Sequence, residues 1–164
     1  MQPAFLSERA SPRAQRLPVP SDAVAALLTL DDGRYVMQLR DDIPGIFYPG
    51  NWGCFGGAIE PGETNEMALR RELREELEYE IGEARRFTRF DFDFAPHGHG
   101  IVTRTYFELH VPYAAFERFV LHEGSEFRAI DGAELLSTHK VTPYDAFAVW
   151  MHVNRVPGLP AVSG

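Results

Sequence analysis

Several short stretches of the chain alternate between apolar and polar residues, a pattern typical of β-strands with one buried face. Residues 87–94 and 101–111 show this alternation, and we expect these two strands to pair antiparallel. Nearer the start, the apolar run 24–30 is followed by a turn signal at residues 31–33 and by a second run at residues 35–40. The two earlier runs therefore predict a β-hairpin.

A different spacing predicts a helix in the middle of the chain. Leu69, Leu73 and Leu77 recur every four residues, so they form one apolar stripe along a helix. The stripe predicts a helix from about Asn65 to Leu77. Its first turn would be capped by Thr64 or Asn65, because a short side-chain oxygen can accept a free backbone N–H there.

The second half of the chain carries the remaining elements. Residues 112–119 predict a short helix or a loop, and residues 127–130 predict a short strand. A small helix over about 131–136 and a final helix over about 142–154 complete the pattern. Apolar positions in the final helix include Ala146, Val149, Trp150 and Val153. The predicted order is strands, a helix, more strands and terminal helices. This order predicts an α/β (α+β) fold with helix–sheet–helix layers.

Length and composition indicate one folded domain. The chain has 164 residues, enough for a single domain with a sizeable core. Residues 1–20 contain four prolines and are expected to form an extended arm. We expect the domain over residues 21–156 and a C-terminal tail over residues 157–164.

Charge and cysteine content restrict the partners and the compartment. A formal net charge of −8 disfavours binding to nucleic acid or to an anionic membrane. No apolar run is long enough to span a membrane, and the first 20 residues lack the apolar segment of a secretory signal. The single cysteine, Cys54, excludes an internal disulfide and is expected to be buried, which fits a reducing cytoplasm.

The predicted central helix carries a cluster of carboxylates beside its leucines. Glu72, Glu75 and Glu76 are spaced at i, i+3 and i+4, so they share one face. Such a cluster can be a solvated, salt-bridged surface. The loop before the helix favours a second interpretation, because residues 56–63 contain a Gly-Gly and a Pro-Gly pair that permit close approach. A hard cation such as Mg²⁺ requires oxygens that converge from a loop and a helix.

The sequence GAIEPGETNEMALRRELREELEY, residues 57–79, resembles the Nudix box, the signature of the Nudix hydrolases. The matching positions are Gly57, Glu63, Arg71, Glu72, Leu73, Glu75 and Glu76. Glu78 stands where the signature has its last glycine, and Phe55 stands where many members have a proline. Either Glu78 adopts the left-handed conformation, which we favour, or the helix continues to Gly82.

The resemblance implies both a fold and a reaction. The Nudix fold is a three-layer α/β/α sandwich around a mixed sheet. Its members hydrolyse a pyrophosphate bond in a nucleoside diphosphate that is linked to another group. The resemblance further implies Mg²⁺, with Mn²⁺ as an alternative, because a cation neutralises the phosphates and lowers the pKa of bound water.

The signature also implies a role for each matching residue. Glu75 and Glu76 resemble metal ligands, and Glu72 resembles either a ligand or the base that activates water. Gly56, before the box, would contribute its backbone carbonyl to the metal. Two further residues, Glu63 and Arg71, would support the loop and the helix through ion pairs.

Residues outside the signature are candidates for the rest of the site. A further carboxylate is expected from Glu123 or Glu126, although both also fit an acidic surface loop. The remaining candidates are Phe47, Tyr48 and Trp52 for stacking on a base and Arg40 for a phosphate. These aromatic residues could instead belong to the core, and Arg40 to a surface salt bridge.

Two other function classes fit parts of the sequence. A catalytically silent Nudix-fold sensor would bind a nucleotide without cleaving it, and a Ca²⁺-binding structural domain would use the carboxylates for stability. The complete carboxylate set argues against the first, and the absence of a DxDxDG loop argues against the second. The expected partner is a small nucleotide-type molecule, and a homodimer is compatible with the sequence.

Overall fold

The computed structural model describes residues 18–155. The predicted C-terminal tail and nearly all of the predicted N-terminal arm lie outside the described residues. The strands are β1 (Ala23–Leu30), β2 (Tyr35–Leu39), β3 (Trp52–Gly53), β4 (Arg85–Asp93), β5 (Ile101–Val111) and β6 (Glu126–Ile130). The helices are α1 (Asn65–Leu77), α2 (Tyr113–Phe116), α3 (Gly132–Thr138) and α4 (Pro143–Val153), with a 3₁₀ turn at Ala95–His97.

The strands form one mixed sheet in the order β3-β2-β1-β5-β4, and β6 pairs with β2. The predicted hairpin of β1 and β2 and the predicted antiparallel pair of β4 and β5 are both present. β1 and β5 run parallel along their shared length. The sheet is therefore mixed, as the fold prediction requires.

Helices cover both faces of this sheet. Because successive strand residues point to opposite faces, Val24 and Ala26 pack toward α1, whereas Ala25 and Leu27 pack toward α3 and α4. Burial on both faces explains why β1 is a continuous apolar run rather than an alternating one. The three layers confirm the predicted α/β/α sandwich.

Helix α1 begins and ends where its sequence signals predict. The Thr64 side chain accepts a hydrogen bond from the N–H of Met67, and Leu69, Leu73 and Leu77 are fully buried. Burying one leucine side chain contributes about 2 kcal/mol. The helix is therefore fixed at its start by a cap and along its length by the leucine stripe.

The end of α1 confirms the favoured alternative for Glu78. Glu78 adopts the left-handed conformation, with φ 53° and ψ 32°, and its N–H donates to the carbonyls of Arg74 and Leu73. The N–H of Tyr79 also donates to the Leu73 carbonyl, at 3.2 Å. These bonds stop the helix before Gly82 at an estimated backbone strain of about 1 kcal/mol.

The final helix packs with a face that differs from its apolar pattern. The residues that α4 buries are Asp145, Ala148, Val149 and His152. Trp150, one of the predicted apolar positions, is 52% exposed and stacks on the ring of Phe147 at 6.0 Å. The face is rotated because Asp145 and His152 are buried as hydrogen-bonded groups.

No helix among the described residues is long and apolar enough to cross a bilayer.

Candidate active site

The chain between β3 and α1 runs alongside β1. The N–H groups of Ala26 and Val24 donate to the carbonyls of Phe55 and Gly57, each at 2.9 Å. Gly56 lies between them with φ +124°, and a Cβ there would overlap the Val24 carbonyl oxygen. This position therefore requires glycine both for its conformation and for its close approach to β1.

Glu76 is the most deeply buried carboxylate on α1, with 3% of the residue exposed. Its Oε2 accepts the N–H of Gly56 at 2.8 Å, and its Oε1 accepts from the Gln38 amide at 3.3 Å. Burial, with smaller contributions from Glu123 and Glu72, raises the pKa of Glu76 to about 8. Without a cation nearby, this carboxyl group therefore retains a proton near neutral pH.

Arg71 connects the box loop to α1. Its Nε and Nη2 donate to the two carboxylate oxygens of Glu63 at 2.8 and 2.9 Å, and Nη2 also reaches the Ala58 carbonyl at 2.9 Å. Its Nη1 donates to Glu72 at 2.8 Å and to Glu75 at 3.2 Å. The hydrogen bond from Arg71 lowers the pKa of Glu63 to about 2. Glu63 and Arg71 are thus placed to hold the loop against the helix.

Glu72 lies directly against the second glycine of the loop. A Cβ on Gly57 would come within 2.6 Å of the Glu72 Oε1 atom. Burial raises the pKa of Glu72, and the charges of Glu75 and Glu123 act in the same direction. Glu75, by contrast, is open to solvent, with 58% of its side chain exposed.

The carboxylates fit a hard divalent cation chemically, although they are not arranged around one. Within residues 18–155, no three histidine, cysteine or carboxylate side chains stand together as a ready cation site. Arg71 instead occupies oxygens of Glu72 and Glu75. Glu76 makes hydrogen bonds to neutral groups only, so a buried carboxylate lacks a cationic partner within the described part of the chain. An oxygen-only donor set of this kind suits Mg²⁺ or Mn²⁺.

The loop that follows α2 brings Glu123 toward these carboxylates. The N–H of His122 donates to the Glu76 carbonyl, and the N–H of Ser125 donates to the Leu39 carbonyl, each at 2.9 Å. Glu123 lies between these two anchors and is close enough to raise the pKa of Glu76. The structure thus places Glu123 beside the cluster.

Glu126 is placed elsewhere. It lies at the start of β6, opposite Leu39 of β2, and forms an ion pair with Arg128. Residues two apart in a strand share a face, which explains the pairing of Glu126 with Arg128. Glu126 therefore lies on the face of the sheet opposite α1, and the structure does not bring it to the carboxylate cluster.

A cavity of about 1030 Å³ opens beside the cluster. It is lined by Gly56, Gly57 and Glu123 at one end and by aromatic side chains from the 44–49 loop, β4 and α4. We call it the aromatic cavity, after Phe47, Tyr48, Phe92, Phe94, Tyr144 and Phe147. Arg40 also lines it and donates from Nε to the Phe47 carbonyl at 2.9 Å. Phe47, Tyr48 and Arg40 are therefore all placed where a ligand could contact them.

Trp52 departs from the expectation that it lies at the mouth of the site. Only 6% of it is exposed, and it packs in the core on the α4 side of the sheet with Cys54. The guanidinium of Arg128 lies 5.6 Å from its ring, and His139 meets it edge-on. A ligand cannot stack on the Trp52 ring, because β3 points this side chain into the core. Cys54 is buried, as expected.

The cavity contains an ion pair that sequence reasoning missed. Arg104 of β5 lines the cavity and donates from Nη2 to Asp145 at 3.3 Å. Its guanidinium lies 4.7 Å from the centre of the Tyr144 ring. One signal could have identified it: Arg104 shares a strand face with Tyr106, two residues later, and is therefore a charge at an inward position.

Known proteins match both the sequence and the fold. The NUDIX domain model matches residues 19–156. A nucleoside triphosphatase, NudI, from Escherichia coli (strain K12 / DH10B) is 52% identical over 50 residues, which are 30% of this chain and 35% of the relative. The chain thus spans about a third of the length of the curated relatives it matches.

Solved structures with this fold cover most of the chain. A MutT protein from Methanosarcina mazei Go1 has a TM-score of 0.66 at 17% identity, over 85% of this chain and 99% of that one. The E. coli dihydroneopterin triphosphate pyrophosphohydrolase has a TM-score of 0.65 at 20% identity, over 84% and 98%. The NUDIX domain of Shewanella oneidensis NrtR, in complex with ADP ribose, has a TM-score of 0.66 at 16% identity, over 90% and 94%.

The family model spans most of the chain, the box residues lie together on α1 and its loop, and the fold is shared with solved members. The chain therefore belongs to the Nudix hydrolase family.

Proposed function

We propose that this protein hydrolyses a pyrophosphate bond in a nucleoside triphosphate or a related nucleotide, with Mg²⁺ as cofactor and Mn²⁺ as an alternative. One observation carries the proposal. A buried carboxylate without a cationic partner, Glu76, lies beside Glu72 and Glu123 at one end of a cavity large enough for a nucleotide.

Each member of the cluster has a task in this proposal. Glu75, Glu76, Glu123 and the Gly56 carbonyl would hold the cation. When bound, a divalent cation neutralises the phosphates and lowers the pKa of its water. Arg71 and Glu63 position the loop.

We assign the role of general base, which activates the attacking water, to Glu72. Arg71 Nη1 holds its Oε1 atom at 2.8 Å, which leaves Oε2 to accept a proton from the attacking water. Its pKa is raised by burial. A raised pKa suits a group that must take up and release a proton near neutral pH.

The relatives support a nucleotide substrate. NudI is a nucleoside triphosphatase, and the NrtR domain was solved with ADP ribose. In this chain, Arg40 would meet the phosphates, and Phe47 and Tyr48 would contact the base. The free, buried Cys54 supports a reducing, cytoplasmic location.

A nucleotide panel with product analysis tests the proposal. Nucleoside triphosphates, ADP ribose and nucleotide sugars would be incubated with Mg²⁺, and the products separated and identified. We expect nucleoside monophosphate together with the remainder of the substrate. Release of nucleoside alone, or no product from any substrate, would contradict the proposed reaction.

A silent sensor is the second candidate, and the same panel distinguishes it. Arg71 pairs with one oxygen of Glu72 and one oxygen of Glu75, and this competition with a cation is the observation on the side of a protein that binds nucleotide without cleaving it. Nucleotide binding by calorimetry with no Mg²⁺-dependent product would support the sensor.

A further inference from the structure

Arg104 lies in the aromatic cavity at a distance from the carboxylate cluster. Ala58 bridges to Ala23 of β1, and Ala23 is the register partner of Arg104 on β5. Two strand spacings separate Ala58 from Arg104, about 10 Å. A nucleotide whose phosphates lie at Gly57 would therefore place its base, rather than its phosphates, near Arg104.

The guanidinium of Arg104 has donors to spare. Arginine carries five N–H donors. Its Nε donates to the Tyr106 hydroxyl at 3.1 Å, and Nη2 donates to Asp145 Oδ1 at 3.3 Å. Within residues 18–155, Nη1 has no protein acceptor, and no fully buried side-chain nitrogen is left without one. The Nη1 group therefore reaches the open space of the cavity.

Asp145 cannot compete for a ligand's donors because its oxygens are already occupied. Besides Arg104, its Oδ1 accepts the Tyr106 hydroxyl at 2.8 Å. Its Oδ2 accepts the N–H of Cys54 at 3.0 Å and the hydroxyl of Thr142 at 2.8 Å. This end of the cavity thus presents a fixed, planar, charged donor whose carboxylate partner, Asp145, has both oxygens occupied.

We propose that Arg104 determines base specificity, an inference that rests on the proposed nucleotide hydrolysis. It selects bases that offer a carbonyl oxygen at the cavity end over bases that carry an amino group at the same position. Asp145 is its positioning residue. The Tyr144 ring, 4.7 Å from the guanidinium, supports the flat face of Arg104 and leaves its N–H edge toward the base.

Two pairs of substrates carry this exchange of a carbonyl oxygen for an amino group, together with the loss of the proton on the neighbouring ring nitrogen. ITP and ATP differ by oxygen or an amino group at the 6-position, and UTP and CTP differ in the same way at the 4-position. A site that offers only hydrogen-bond donors disfavours ATP and CTP, because their amino group would leave a donor of Arg104 unpaired. We expect kcat/KM to favour ITP over ATP and UTP over CTP, each on the order of 10-fold, mainly through KM. Equal or reversed ratios in the natural protein would overturn the inference.

Arg104→Gln separates base reading from phosphate binding. We expect this variant to bring both ratios to about one, because kcat/KM for ITP and for UTP falls, mainly through a higher KM. Arg104→Lys, which keeps the charge without the planar fork, should be intermediate. Arg89→Gln is the matched control, because Arg89 is an exposed arginine on the adjacent strand β4 paired with Asp91. It should leave the ratios unchanged.

The remaining outcomes are also decisive. If Arg104→Gln reduces turnover of all four nucleotides by the same factor, Arg104 binds a phosphate or supports the fold, and the inference fails. If the variant does not fold, the ITP/ATP and UTP/CTP ratios of the natural protein test the inference by themselves. If no nucleotide is cleaved, the proposed function fails instead. The pairs are then compared by equilibrium binding, where equal affinities would overturn the role of Arg104.

Discussion

Two glutamates of the signature show how a residue's surroundings set its chemistry. Glu63 receives two hydrogen bonds from Arg71, and its pKa falls to about 2. Glu76 is buried with neutral donors, and its pKa rises to about 8. The sequence spacing identified both residues as members of the site. It could not reveal these opposite shifts, because burial and partners come from packing.

The raised pKa of Glu76 predicts how the stability of the metal-free protein depends on pH. The folded pKa lies above the ordinary value of 4.5, so the folded state holds a proton that the unfolded state has lost. This contribution to stability is fully present below pH 4.5 and is lost as the pH rises through about 8. We expect the free energy of unfolding in chelator to fall as the pH rises from about 4.5 to about 8.

Glu76→Gln is the control for this prediction, since its amide does not titrate. Urea unfolding at a series of pH values should show a smaller pH dependence for Glu76→Gln than for the natural protein. Parallel curves for the two proteins would mean that Glu76 ionises normally in the folded state.

At the scale of elements, local signals and long-range pairings differ in how well sequence predicts them. The bounds of α1 were predictable because its cap and leucine stripe lie within the helix itself. The pairing of β6 with β2 and the parallel contact of β1 with β5 join segments far apart in sequence. Neither pairing leaves a local pattern. The buried face of α4 could not be predicted from its apolar positions alone, because it includes the hydrogen-bonded Asp145 and His152.

The leucine stripe of α1 gives a stability prediction. Leu73 is fully buried, so Leu73→Ala should reduce the free energy of unfolding by about 2–5 kcal/mol. Met67→Ala on the same helix is the control, because Met67 is an exposed side chain. Its effect should stay within about 0.5 kcal/mol. Similar losses in the two variants, measured by chemical denaturation, would refute the assigned packing face.

The end of α1 gives a prediction of the opposite sign. Glu78→Gly removes the left-handed strain, although glycine loses more conformational entropy on folding. We expect a small net gain, of up to about 0.5 kcal/mol, in the free energy of unfolding. The exposed pair of Glu78 with His122 contributes little to the balance.

Glu80→Gly is the control for Glu78→Gly, because Glu80 is exposed and does not have a positive φ. Thermal melts should rank Glu78→Gly above the natural protein and Glu80→Gly at or below it. A loss of stability in Glu78→Gly would show that the side chain matters more than the backbone strain.

At the scale of the whole molecule, the aromatic cavity joins elements from most of the chain. The 44–49 loop, the glycines before α1, β4, β5 and α4 all contribute to its lining. The box was readable from sequence because its residues are contiguous, whereas Arg104 and Asp145 meet only after folding. Phe147 lines this cavity and also stacks on Trp150, and both rings are about half exposed. Two statements about partners stay predictions: that a homodimer is compatible with this protein, and that it does not bind nucleic acid.

The α1 carboxylates are proposed to hold the cation that enables cleavage, and one measurement tests this role most directly. Turnover of a nucleoside triphosphate would be followed against Mg²⁺ concentration for the natural protein, Glu76→Gln and Glu66→Gln. Glu66 is the matched control, an exposed glutamate in the first turn of the same helix.

We expect the natural protein and Glu66→Gln to require Mg²⁺ on the order of millimolar and to stop in chelator. Glu76→Gln should keep its fold by circular dichroism and lose activity by about 100-fold or more. If Glu76→Gln cleaves the nucleotide as fast as Glu66→Gln at every Mg²⁺ concentration, the carboxylates of α1 do not form the catalytic metal site.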